Sequence, residues 1–166
     1  MKERTRFTYD APGKGVYAPA LLKKLSEMAG DRFLVTCDVG QHQMWAAQSY
    51  HCQKPNNWVT SGGLGTMGFG LPSAIGAQVG RPGELVVSIS GDGGIQMNIQ
   101  ELQVAVEYNL PVKVVILNNG YLGMVRQWQQ HFYDNRESQV LIGAPNFVKL
   151  ADAFGMLGMS TNKPSE

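Results

Sequence analysis

The sequence predicts an α/β protein built on an open, doubly wound, mostly parallel sheet with helices on both faces, and three observations support this. Three short apolar or β-branched runs, Phe33-Leu-Val-Thr-Cys37, Leu85-Val-Val-Ser-Ile-Ser90 and Val112-Lys-Val-Val-Ile-Leu117, punctuate the chain. The latter two have too little polar alternation for a sheet solvated on one face, so the runs suit central parallel strands. Helical patterns at about 68–79, 98–109, 121–132 and 146–154 give the β-α alternation of a sheet covered on both sides. Each run is followed by residues rich in glycine, amide or carboxylate: Asp38-Val39-Gly40-Gln41-His42, Gly91-Asp92-Gly93-Gly94 and Asn118-Asn119-Gly120-Tyr121. Ligands of such sheets sit outside the carboxyl ends of the strands, where successive connections leave on opposite faces.

In chain order, residues 1–15 are polar and end in Pro12-Gly13-Lys14-Gly15, a composition expected of an interdomain linker remnant. Residues 16–166 form the domain. Pro19 lies near the start of Leu21, Leu22, Leu25 and Met28, an apolar set at helical spacing closed by Gly30, which predicts a helix with one buried face. Among 166 residues, 43% are hydrophobic and 16% charged, the composition of one globular domain. Fourteen basic residues against 13 acidic ones leave a charge of +1, which argues against nucleic acid or an anionic membrane as the main partner. No segment approaches the ~20 apolar residues of a membrane span, and Met1 to Asp10 lack a signal-peptide core. The expected location is therefore cytoplasmic. Cys37 and Cys52 have neither metal-site spacing nor the number of a disulfide scaffold and read as ordinary thiols.

The glycines of Ser61-Gly-Gly-Leu-Gly-Thr-Met-Gly-Phe-Gly70 would each cost a helix or strand interior about 1 kcal/mol relative to alanine. Either a tight turn or the close approach of backbone to a ligand explains them. Gly91-Asp92-Gly93 ends one strand and Asn118-Asn119 ends a later one, with 24 residues, one strand-to-strand excursion, between Gly93 and Asn118. An Asp carboxylate and an Asn amide oxygen at neighbouring strand ends are hard ligands of the kind magnesium takes while it also holds phosphate oxygens. The glycines admit backbone N–H groups to the same phosphates. Gly-Asp-Gly alone is unremarkable as a turn.

At this spacing the pair resembles the thiamine diphosphate and magnesium motif. Asp38-Val-Gly-Gln-His-Gln-Met-Trp45, Thr60-Ser-Gly-Gly-Leu-Gly-Thr-Met-Gly-Phe-Gly-Leu-Pro72, Met97-Asn-Ile-Gln-Glu-Leu102 and Leu122-Gly-Met-Val-Arg-Gln-Trp-Gln129 resemble segments of the acetolactate synthase (acetohydroxyacid synthase) family in the same order. The likeness covers roughly residues 16–160. It implies that Asp92, Asn119 and the main-chain oxygen of Tyr121 hold Mg2+. It also implies that Gly40, Gln41 and His42 contact the diphosphate, that Gly65 and Met67 contact the aminopyrimidine, and that Met67 is the wedge that bends the cofactor. A flexible, polarizable thioether suits that wedge. Gly91, Gly93, Gly94, Met97, Leu122, Gly123 and Met124 complete the expected cofactor contacts.

Met124, Val125 and Trp128 share one helix face. Read alone they suggest core, although Gln127 and Gln129 beside Trp128 are odd for a buried stripe. The resemblance implies that they line a substrate channel in which Trp128 favours 2-ketobutyrate over pyruvate as acceptor. It further implies a homo-oligomer joined through the thiamine-binding domains, a regulatory small subunit as a further partner, and FAD in the full-length family enzyme. The family's activating glutamate comes from an amino-terminal domain that this chain lacks. Glu101 matches a different position and has no catalytic role. The resemblance also implies that the domain continues past Glu166, so the expected reading is a truncated portion of a synthase acting on 2-ketoacids. The alternatives are a non-catalytic diphosphate-binding module, an inactive docking fragment, or another thiamine diphosphate decarboxylase.

Overall fold

The computed structural model describes residues 13–30 and 32–165. Of the linker expected over residues 1–15, only Gly13, Lys14 and Gly15 fall within that range, and all three are exposed. Helix α1 (Ala18–Ala29) has Pro19 in its first turn and buries Pro19, Leu22, Ser26 and Ala29 on one face. Proline is favoured there because its missing N–H has no partner in the first turn anyway.

The sheet contains β1 (Phe33–Cys37), β2 (Trp58–Thr60), β3 (Leu85–Gly91) and β4 (Lys113–Leu117) in the order β2-β1-β3-β4. Every pairing is parallel. Helix α2 (Gln41–Ser49) joins β1 to β2, and α3 (Gly70–Gly80) joins β2 to β3. Between β3 and β4 run the single turn α4 (Asp92–Ile95), a 3-10 turn (Ile99–Glu101) and α5 (Leu102–Glu107); α6 (Gly123–Phe132) and α7 (Phe147–Ala153) follow.

Alternate strand residues feed two apolar layers, as the two-residue period of a strand requires. Val35, Cys37, Val87 and Ile89 pack with Leu22, Ala29, Ala46 and Tyr50 from α1, α2 and the residue after α2. On the other face Leu34 and Val86 pack with Ala74 and Val112. That side continues through Leu71, Ile75, Ile95, Leu102 and Ala105 of α3, α4 and α5. Leu22 and Ile89 are fully buried, each contributing about 1.5–3 kcal/mol relative to an exposed side chain. The connection leaving β1 therefore lies on one face and that leaving β3 on the other, so the switch point falls between the carboxyl ends of β1 and β3.

Three details differ from the sequence reading. Neither β2 nor α2 was expected. The helical stretch at 98–109 divides into a 3-10 turn and a short α-helix. Although its sequence suits a central strand, β4 lies at the edge of the described sheet and is only half-buried. Its apolar run reflects cover on both faces, since Val115 and Leu117 meet one layer and Val114 and Ile116 the other.

Candidate functional site

Three strand ends meet at the switch point. Asp38, directly after β1, is fully buried. Its Oδ1 accepts the amide hydrogens of Val39 (2.6 Å) and Gly68 (2.9 Å). Its Oδ2 is buried without a hydrogen-bond partner among the described residues. Gly68 adopts φ +89°, and a Cβ there would stand 2.7 Å from the Met97 Cβ, so both conformation and space require glycine. The Gly68 carbonyl accepts from Asn98 Nδ2 at 2.9 Å. The turn that carries Met67 is thus pinned between the end of β1 and residues 97–98.

His42, in the first turn of α2, is 6% exposed, and its Nε2 has no partner among the described residues. Burial holds its pKa below the ordinary 6.5, against the Asp38 charge and a hydrogen bond to the Asp38 backbone, both of which raise it. The imidazole is therefore neutral at pH 7. Its ring lies against Gly91, where a Cβ would come within 3.0 Å of Nδ1.

Asp92 is 2% exposed. Pairing of Gly91 with Leu117 sets the ends of β3 and β4 level, and Asp92 Oδ2 accepts the Gly120 amide hydrogen at 2.7 Å. Within the same loop Asn119 Oδ1 accepts from the Tyr121 amide at 2.9 Å. Both oxygens keep a further lone pair. A Cβ on Gly94 would come within 2.9 Å of the Asp38 carboxyl carbon. One on Gly93 would meet Leu122, Ile142 and the Met67 methyl at 3.1, 3.1 and 3.5 Å. Gln41 bonds Gln127 at 3.1 Å and, with Asn119, Tyr121 and Gly123, lines a recess of about 240 Å3.

The predicted residues thus divide in space. Gly40, Gln41, His42, Met67, Gly91, Asp92, Gly93, Gly94, Asn119, Tyr121, Leu122 and Gly123 surround one crevice. Met97 is 55% exposed beside Gly68, and a Cβ on Gly65 would stand 3.8 Å from Val39, so both lie along the turn that carries Met67. Met124, Val125 and Trp128 instead line a separate groove of about 690 Å3 with Gln129, Tyr133 and Arg136. Val125 and Trp128 are 48% and 58% exposed, so the core alternative fails for them.

Sequence reasoning assigned no role to Asp38, Ile142, Tyr133 or Arg136. Asp38 carried a usable signal, as a carboxylate directly after a strand like Asp92. The other three reach their places only through tertiary pairing of the segment after α6.

Among the described residues no three His, Cys, Asp or Glu side chains cluster as a metal site. The oxygen donors here are one carboxylate, an amide and backbone, a set suited to a cation that completes its shell with phosphate and water. The His42 Nε2 and Asp38 Oδ2 without partners among the described residues supply unsatisfied polar atoms at these strand ends, and Gly91 and Gly94 let that ring and that carboxylate pack against them. The residues present therefore fit a divalent cation and a diphosphate together.

Residues 38–166 match the thiamine pyrophosphate enzyme C-terminal TPP binding domain, and the chain belongs to that family. Within it, the chain is similar to large subunits of one kind of enzyme. It is 51% identical to the acetolactate synthase isozyme 2 large subunit of Escherichia coli over all of this chain and 30% of that protein. Identity is 54% with the acetolactate synthase large subunit of Porphyra purpurea, over 86% of this chain and 24% of that protein. With the mitochondrial acetolactate synthase catalytic subunit of Saccharomyces cerevisiae it is 48%, over 95% and 23%. The chain therefore spans less than a third of the length of these relatives. Among the described residues no helix is long and apolar enough to cross a membrane.

Proposed function

We propose that the chain is the cofactor-binding portion of an acetolactate synthase large subunit. That enzyme decarboxylates pyruvate and joins the product to a second 2-ketoacid, pyruvate or 2-ketobutyrate, giving acetohydroxyacids for branched-chain amino-acid synthesis. The observation that carries this reading is the meeting of Asp92 with the Asn119–Tyr121 loop, through the 2.7 Å bond from Gly120, beside the His42 Nε2 that has no partner among the described residues.

In this reading Asp92, Asn119 and the Tyr121 carbonyl hold Mg2+. Gly40, Gln41 and His42 face the diphosphate, with Gly91, Gly93 and Gly94 beside them, where the absence of a Cβ lets His42, Leu122 and Asp38 pack close. Met67, beside Gly93, supports the bent rings, with Gly65, Met97, Leu122, Gly123 and Met124 around them. When bound, thiamine diphosphate supplies the electron sink for the decarboxylation. This chain binds and orients it, and the groove of Met124, Val125 and Trp128 receives the 2-ketoacids. The family resemblance puts the activating glutamate and FAD on parts of the full-length enzyme other than this domain. In the full enzyme we place it in the cytoplasm, as a homo-oligomer through these domains, with a regulatory small subunit.

The test is calorimetric titration of the 166-residue chain with thiamine diphosphate, with and without magnesium. Binding that needs magnesium and is lost in Asp92→Ala is the expected result. Magnesium-independent binding, or binding unchanged in the variant, would sink the assignment.

A further inference from the structure

We infer that Glu137 and Gln129 are positioning residues: they clasp the segment after α6 onto that helix, build the groove, and couple its shape to the 119–122 loop. One wall of the groove is α6 itself, through Met124, Val125 and Trp128; the other includes Tyr133 and Arg136 from the following segment. That segment makes unfavourable turns, with Asp134, Asn135 and Gln139 at φ +53°, +57° and +55°, a region that L side chains resist. Something must hold it down.

Two fastenings do so. Glu137 Oε1 accepts from Arg126 Nε at 2.9 Å and from Gln130 Nε2 at 2.7 Å, both on α6. Gln129 engages both backbone groups of Ser138, accepting from its N–H at 2.9 Å and donating to its carbonyl at 3.0 Å. This explains the glutamine next to Trp128: it works on the backbone of the returning segment.

The same segment then reaches the cation loop. The Leu122 amide donates to the Val140 carbonyl at 2.8 Å, and the Ile142 amide to the Gly120 carbonyl at 3.0 Å. From the other side, the Arg126 guanidinium carbon lies 4.0 Å from the centre of the Tyr121 ring, a cation–π contact. Loop 119–122 is thus tied to both ends of the clasp. Fixing the loop with a cation fixes the far wall of the groove, and with it the width offered to the apolar end of a 2-ketoacid. The coupling rests on the cofactor reading above; the clasp does not.

Residue-resolved amide exchange on the full 166-residue chain tests both. Without ligand, Glu137→Ala and Gln129→Ala should each speed exchange at Ser138 about fivefold, as an exposed but networked contact warrants. Leu122 and Ile142 should be unchanged. Glu137→Gln should restore most of the protection, because its amide oxygen still accepts. Ser138 exchange equal in wild type and Glu137→Ala, or no rescue by Gln, would overturn the clasp. With thiamine diphosphate and magnesium, Ser138, Leu122 and Ile142 should slow together in the wild type, and only the latter two in Glu137→Ala. Slowing at Leu122 and Ile142 without Ser138 would overturn the coupling and leave the cofactor reading standing. No ligand effect at any of the three would overturn both, while the unliganded variants still decide the clasp.

Discussion

The crevice at the switch point and the groove on α6 are neighbours built on opposite terms. In the crevice, Asp38, His42 and Asp92 are nearly inaccessible, and added Cβ atoms would collide. In the groove, Val125, Trp128 and Tyr133 are about half exposed, and side-chain amides hold the walls. The first is finished by this chain's own packing. The second presents apolar surface to solvent, as surfaces meant for a ligand or partner do. Preorganised polar geometry needs a rigid sheet beneath it, whereas an apolar wall can be carried by a segment held at a few points.

The largest effect that would break this contrast concerns the cation. Asp92→Ala should weaken magnesium-dependent thiamine diphosphate binding by about 100-fold, while Trp128→Leu should leave it within about twofold; comparable losses in calorimetry would mean the two regions are one site. Next comes packing. Gly70→Ala would press a Cβ within 2.8 Å of Ser90 Oγ and 3.1 Å of the Asp38 amide nitrogen, which should destabilise the fold by about 1–3 kcal/mol. Gly143→Ala, behind the groove segment and facing open space, should shift the urea midpoint negligibly.

A smaller loss, about tenfold in cofactor affinity, is expected from His42→Ala, which removes one hydrogen bond to a charged group. The smallest effect is visible only in alkali. Burial, with the Asp38 charge added, pushes the Cys37 thiol from 9.0 up to about 12. The folded chain keeps that proton while the unfolded chain loses it, so this contribution to stability is complete below pH 9.0 and declines towards pH 12. Native protein at pH 8 should accordingly expose one reactive thiol per chain, the exposed Cys52, and two in denaturant; a thiol-reagent titration decides.

Much of the frame was legible because its signals are local. β1, β3 and β4 announce themselves as apolar runs, and α1 and α3 by periodicity and glycine or proline punctuation. β2 is only three residues, Trp58–Thr60, all half-buried, too short for alternation to register. α2 begins after Gly40 and carries Gln41, Gln43 and Gln48 among its nine residues. Only His42, Ala46 and Ser49 face inward, so no apolar stripe marks it. Asp92 and Asn119 could be paired from spacing because strand ends in a parallel sheet lie level. The partners of Gln129 and Glu137 could not, since a segment folding back from residue 138 to residue 129 leaves no period to read.

The level ends of β3 and β4 also set a rule for how this domain tolerates change in length. With Gly91 opposite Leu117, the sheet measures the separation of Asp92 and Asn119 like a ruler graduated in steps of about 3.3 Å. A residue inserted at Asn109, in the turn between α5 and β4, adds slack that the turn can absorb. A residue inserted within Lys113–Leu117 would shift the Asn119 loop by one graduation relative to Asp92 and invert the inward faces of the strand beyond it. Sequence drift in such a domain should therefore collect as insertions before β4, and almost never inside it.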